Sequence, residues 1–234
     1  MTNSNVPVPS IKDYLYSLTK GAIGSIPIAG AAAAELFSLI ITPPLEKRRK
    51  EWMENIGKGL AELEVGSKID LNSLSDNQEF IDVIIQASTY AIKTSQKEKI
   101  EILRNAILNT ALGASPDTIT RQIFLKLIDD FTPLHLQILH LFADPFKTLD
   151  TTYEQVQGTM GTGTLLAIVN EMYPVLGKQL NLLNVIRTDL NSSGLVDLPG
   201  WQDMMGITSI YAKRTTNLGV QFLQFIQSPE PQNK

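Results

Sequence analysis

Apolar residues recur at helical spacing along most of the chain. Ile11, Tyr14, Leu15 and Leu18 make a short amphipathic start. From Leu45 to Leu63, the positions Leu45, Trp52, Ile56, Leu60 and Leu63 fall on one face, with Lys47, Arg48, Arg49 and Lys50 on the others. Between these two patterns lies Gly21–Pro44, in which Glu35 is the only charge. The punctuation by Pro27 and Gly30 predicts a helix starting near Ile28, and Pro43-Pro44 predicts its end and a fresh start for the next helix.

Val65–Ser75 reads as a loop. Ser75 with Gln78 three residues on has the form of a capping box for a helix carrying Phe80, Ile84, Ala87 and Ala91, with Ile81, Ile85 and Ile92 widening its apolar stripe. A helix beginning at Ser95 or Gln96 runs through Ile100, Leu103 and Ile107 to Gly113. Ser115-Pro116-Asp117 caps another through Ile123, Leu127 and Ile128. Thr132-Pro133 starts one through Leu136, Ile138 and Leu139 that stops at Asp144-Pro145.

The last third predicts helices at Leu165–Met172 and Leu180–Leu190, a short extended run Leu195–Leu198 and a turn at Pro199-Gly200. A strand over Gly206–Lys213 and a final helix capped by Thr215 or Thr216 complete it. The expected fold is therefore mainly α. Residues 1–130 form a helical bundle containing an apolar helix near 28–42. Residues 131–228 form a winged-helix-like module with a small β wing, and 229–234 are a tail.

Composition narrows the chemistry. The 234 residues contain no cysteine and two histidines, which removes thiol nucleophiles and cysteine metal sites. The net charge of −4 argues against nucleic acid as the main partner. The polar, proline-bearing opening Met1–Ser10 lacks the order of a secretory signal, so a cytoplasmic location is expected.

The Gly21–Pro44 stretch carries two readings. One is a central helix of a bundle, small-sided where its neighbours press close. The other is conditional membrane association. In that reading Gly30, Ala34, Leu36, Phe37 and Ile40 enter the apolar phase and Glu35 is the penalty that keeps the resting form out. Lys47, Arg48, Arg49 and Lys50 hold anionic headgroups. Against the second stands the frequency of such charge runs as solvated faces, here with i,i+4 pairs Lys47–Glu51 and Lys50–Glu54.

For a nucleic-acid role of the last third, the candidate cations are Lys178, Arg187, Lys213 and Arg214. Yet residues 131–234 hold six lysines and arginines against eight acidic residues, so phosphate affinity is expected to be poor. Gly158–Thr164 imitates a phosphate loop, but Thr164 stands where the lysine belongs. His135 and His140 are five apart and do not share a face as a metal pair would, and Trp52 and Trp201 read as core anchors. No nucleophile, metal or cofactor signature stands out. The expectation is a non-enzyme with no cofactor and no small-molecule substrate.

Several stretches carry a resemblance: IPIAGAAAAELFSLIITPPLEKRRKEWMENI, EFIDVIIQASTYAIKTSQKEKIEILRNAILN, DDFTPLHLQILHLFADP, TDLNSSGLVD and RTTNLGVQFLQFI. These resemble blocks of an uncharacterised bacterial helical family. More loosely, the plan is similar to abortive-infection alpha-type proteins. That resemblance implies a part in antiphage defence, often linked to membranes, and it supplies no active-site residues. The resulting expectation is a bacterial defence or stress protein that acts at an anionic membrane surface on activation, or through a protein partner or a second copy of itself. The alternative is a cytoplasmic nucleic-acid-binding regulator using the winged module.

Overall fold

The structure, a computed structural model, describes residues 31–66, 68–157 and 161–229. It is mainly helical, with thirteen helices and one two-stranded antiparallel sheet among the described residues. The chain divides into two compact units, the second being Pro116–Ser228. The division falls one helix earlier than the expected boundary near residue 130, for a reason of packing given below.

The described part of the first unit runs from Ala31 to Ser115. Helix α1 (Ala31–Val65) continues through Pro43-Pro44, where the sequence predicted a stop. Proline's fixed φ is compatible with a helix. The cost is two lost backbone donors and crowding against the preceding turn, and the element persists because both flanks are strong helix formers. Ile28–Gly30 lie outside the described residues.

Helix α2 (Leu71–Ser75) occupies part of the expected loop, and Asp70 caps it by accepting from the Asn72 N–H. Ser75 therefore ends a helix and does not begin one. The cap of α3 (Gln78–Lys93) is Asn77, whose side chain accepts from the Phe80 N–H. Asn77 and Ser75 are comparably good caps, and the short α2 turn uses up Ser75.

Helix α4 (Lys97–Ala111) follows from the N-cap Gln96. It closes in a Schellman turn in which Ala114 N–H bonds Asn109 C=O, Gly113 N–H bonds Thr110 C=O, and Gly113 takes φ +70°. Helices α1, α3 and α4 pack on one another. The α1 face with Trp52, Ile56 and Leu63 closes against Phe80, Ile84 and Ala87 of α3 and Leu103 and Ile107 of α4, all buried. A polar bond between α1 and α3 lies inside this core: Trp52 Nε1–H donates to Ser88 Oγ at 2.8 Å.

The second unit begins with α5 (Thr118–Asp130), capped by Asp117, which accepts from the N–H groups of Ile119 and Thr120. These bonds hold the Asp117 carboxyl below its ordinary value, the side-chain bond from Thr120 first among them. Phe124 of α5 meets Phe222 edge-on at 5.1 Å and Phe225 at 5.9 Å, both on the last helix, α13 (Asn217–Ile226). Such ring pairs add about 0.5–1.5 kcal/mol beyond the area they bury. That is why α5 belongs to the second unit.

Helix α6 (Pro133–Ala143) buries Leu136, Ile138, Leu139, Leu141 and Phe142. Two short turns, α7 (Pro145–Thr148) and α8 (Tyr153–Gln157), lead to β1 (Thr162–Gly163). Then come α9 (Leu165–Met172), α10 (Pro174–Gly177) and α11 (Leu180–Ser192). After β2 (Met205–Gly206) comes the turn α12 (Ile207–Ile210).

The sheet is assembled from other segments than the sequence predicts. Strand β1, from the glycine–threonine run ahead of α9, pairs antiparallel with β2. The predicted run Leu195–Leu198 contributes a single bridge, Val196 to Thr215. The predicted strand Gly206–Lys213 turns helical after Gly206. Arg214 accounts for part of this turn, because its Nη2–H donates to Ser209 C=O at 2.7 Å and folds the segment back. The small β wing is thus a clasp between residues more than forty positions apart.

One expected outcome follows from the first-unit core. Ser88→Ala strands the Trp52 indole N–H among apolar groups. It should lower the unfolding free energy by about 1–3 kcal/mol in denaturant titration of the full chain. A stability equal to the parent would show that the bond contributes nothing.

Candidate functional site

The residues expected at a membrane are placed as follows. Gly30 lies outside the described residues. The backbone of Ala34, Glu35, Leu36, Phe37 and Ile40 forms the first turns of α1. Lys47 and Lys50 are exposed further along it, Arg48 is half-buried, and the Arg49 side chain is 17% exposed. Three of them pair locally: Lys47 with Glu51 at 3.8 Å and Lys50 with Glu54 at 3.9 Å, as the spacing predicts, and Arg49 with Glu46 at 3.6 Å. A depression of about 200 Å³ is lined by Glu46, Arg49, Lys50 and Met53. No helix among the described residues is long and apolar enough to cross a membrane.

The four cations of the nucleic-acid alternative do not gather into one patch of free charge. Arg187 Nη1–H reaches Leu198 C=O at 3.4 Å, Arg214 donates to Ser209 C=O, and Lys213 Nζ pairs with Asp144 Oδ2 at 2.8 Å. Lys178 is exposed at the end of α10. Thus three of the four hold loops of the second unit in place. No group of three or more histidines and carboxylates able to hold a metal occurs among the described residues. Thr164, at the lysine position of the phosphate-loop imitation, is the N-cap residue of α9.

The feature that sequence reasoning missed is an apolar groove of about 400 Å³ within the second unit. Its walls are Leu134 and Gln137 on α6, Met172 at the end of α9, Val175 and Leu176 on α10, and Leu182 on α11. Leu176 is buried and forms part of the floor. Val175 is 76% exposed, Met172 39% and Leu182 37%, and Val185, one turn beyond Leu182, is 55% exposed. Tyr173 and Gln179 also line it, and no charged side chain does. Burial pushes the Tyr173 phenol above its ordinary pKa, so it faces the groove as a neutral hydroxyl.

Two local features fix the walls. Gly177 lies so close to Asn170 that a Cβ there would overlap its side-chain amide, so glycine is what lets α10 close on α9. The second is the array around His135, which is 6% exposed. His135 is the fourth residue of the Thr132-Pro133-Leu134-His135 helix start and closes a capping box in place of the usual Glu or Gln. Its Nδ1 accepts from the Thr132 N–H at 3.2 Å and faces Thr132 Oγ1 at 2.9 Å. That role leaves the proton of the neutral ring on Nε2, which donates to Asp189 Oδ2 of α11 at 3.1 Å. The Phe131 ring stacks on the imidazole, 4.9 Å away and within 1° of parallel. The array ties the first turn of α6 to α11, the two helices that carry opposite walls of the groove. His135 is thus a buried, paired side chain, and its partner 54 residues away left no local signal.

No protein-family model, no curated protein and no solved structure matches the chain. The groove is therefore read from its own geometry. It offers a concave apolar surface with an exposed lip, suited to an apolar side chain or helix face, and it presents no nucleophile–base pair to a reacting group.

Lys213 yields a test of its own. Its hydrogen bond, followed by the bond from the Lys147 N–H and then by the Lys213 charge, holds the Asp144 carboxyl below the ordinary carboxylate value. A carboxyl with a lowered folded-state pKa contributes stability at neutral pH and loses it as pH falls through that lowered value. Lys213→Met should move the Asp144 titration upward toward the ordinary range, read by NMR of the side-chain carboxyl. An unmoved titration would show that the pair is not formed in solution.

Proposed function

We propose that this chain is a non-enzymatic bacterial defence or stress protein that acts by contact, and that the groove of its second unit receives an apolar helix face of a protein. The observation that carries this is the exposure of Val175 beside a floor formed by Leu176 and walls of Leu134 and Leu182. A valine three-quarters exposed at the lip of an uncharged cleft is costly to keep in water. At about 25 cal/mol per Å², covering such a lip is worth on the order of 1–2 kcal/mol per large side chain. An uncharged cleft walled by helices suits helix-in-groove recognition, in which anchors recur at i, i+3 and i+4. The family resemblance supports the defence setting, and the acidic balance of the last third favours protein over nucleic acid.

The test is a photo-crosslinking amino acid at position 175 of the full chain in living bacteria. Discrete adducts are expected, lost when Leu182→Glu is added and absent when the crosslinker sits at the exposed Lys126. Identical patterns at both positions would overturn the reading.

A second reading, attachment to an anionic membrane, is favoured by one observation. Lys47 and Lys50 keep side-chain exposures of 76% and 79%, and their pairs with Glu51 and Glu54 are long. Exposed pairs of this kind are weak, so headgroup phosphates compete with the carboxylates readily. Co-sedimentation with phosphatidylglycerol vesicles at low salt should fall about thirty-fold in Lys47→Glu/Lys50→Glu, roughly 1 kcal/mol for each lysine near the surface. Binding that is absent in the parent, or equal in the double variant, removes the membrane reading.

A further inference from the structure

We propose that His135 is a proton-operated switch between two anchorages of helix α6. The neutral ring caps the helix on its own backbone; the charged ring gives up that cap and holds Asp189 of α11 more tightly. The device belongs to the fold of α6 and stands whether or not the groove receives a partner.

The geometry fixes the proton of the neutral form. The Thr132 N–H donates to Nδ1 at 3.2 Å, so Nδ1 carries a lone pair and the ring proton sits on Nε2. A second proton has one place to go, Nδ1. There it sets two N–H groups against each other, and the bond from the Thr132 backbone is lost. The new Nδ1–H finds an acceptor in Thr132 Oγ1, 2.9 Å away, so the ring keeps its seat while the backbone donor is released. At the other nitrogen the same proton turns a neutral bond to Asp189 Oδ2, 3.1 Å long, into an ion pair. The Phe131 ring, stacked 4.9 Å from the imidazole, also favours the cation. One tie weakens as the other strengthens.

The surroundings leave this exchange to the groups already named. Imidazole is the side chain whose ordinary charge change falls between about pH 5 and 8. Helices α11, α13 and α7 pack on α6. Neither α13 nor the short α10 carries an ionisable side chain. Helix α11 carries Asp189 and Arg187, and Arg187 reaches to Leu198 C=O. Lys147 of α7 follows the far end of α6, the end at which His140 also lies. Asp129 and Asp130 close α5 ahead of Phe131, and Asp130 is engaged by Lys126 Nζ at 2.6 Å. Asp189 is the charge bonded to the ring. The element that the switch acts on is the first turn of α6, which carries Leu134 and Gln137 into the wall of the groove.

The experiment is NMR of the full chain at about pH 7.5 and about pH 5.5, an interval above the ordinary carboxylate range. At the higher pH a long-range proton–nitrogen spectrum should place the His135 proton on Nε2. At the lower pH the protection of the Thr132 amide, corrected for intrinsic exchange, should be about five-fold smaller, the usual worth of a helix cap. The coupling between His135→Gln and Asp189→Asn, from denaturant titration of the two single variants and the double, should be about three-fold larger at the lower pH, as the bond becomes ionic. His135→Gln supplies the customary capping-box residue and does not titrate, while His140 stays in place. Its Thr132 protection should be the same at both pH values. Far-UV circular dichroism checks that the variants keep their helices, and the two measurements on the parent stand without them. A proton on Nδ1 at the higher pH overturns the proposal, as does a Thr132 amide indifferent to pH in the parent. So do an equal pH response in His135→Gln and a coupling that fails to grow on acidification.

Discussion

The second unit is built around one constraint: α6 is apolar on almost every side and has to be covered. Of its eleven residues, Leu136, Ile138, Leu139, Leu141 and Phe142 are each at most 6% exposed. A helix of this kind cannot lie on a surface, so its neighbours are arranged as a sleeve. Helix α13 packs on it with Phe222 and Phe225, α11 packs on it with Leu183 and Ile186, and Phe142 meets Trp201 at 6.0 Å. The sleeve is thinnest at the first turn of α6, where Leu134 and Gln137 look onto the short α10. The groove is the place where covering this helix stops.

The His135 array takes its meaning from the same constraint. A capping residue at a helix start most often answers only to its own backbone. Here the ring also reaches Asp189, so the step that begins α6 fixes the distance to α11 as well. Both ring nitrogens are used, and the stacked Phe131 closes one face of the ring. The walls of the groove are thereby held by hydrogen bonds of fixed direction in addition to nondirectional apolar packing. A site meant to receive a preformed surface benefits from such stiffness, because less ordering is left to be done on association.

The first unit works by a different economy. Three helices share a core in which a buried hydrogen bond between side chains, Trp52 to Ser88, lets a large ring enter without an orphan donor. The basic turn of α1 is laced by glutamates three and four residues away. A local run of four cations therefore amounts to a mixed-sign face. The continuity of α1 through Pro43-Pro44 carries that face and the alanine-rich turns on one element.

Much of this was legible in the residues themselves. Helix starts at Asp117, Thr132 and Thr216, the glycine ends at Gly113 and Gly194, and the buried faces of α3 to α6 are local consequences of spacing and capping, which act within four residues. So are the Lys47–Glu51 and Lys50–Glu54 pairs. What the chain order did not disclose involves partners far apart in sequence. The strand pairing joins Thr162 to Gly206 and Gly163 to Met205. The membership of α5 in the second unit rests on Phe124 meeting α13. The array couples His135 to Asp189, and the groove draws its walls from four helices. Periodicity reports which side of a helix is apolar, but not where two apolar sides fail to meet. That gap exists only once the helices are placed.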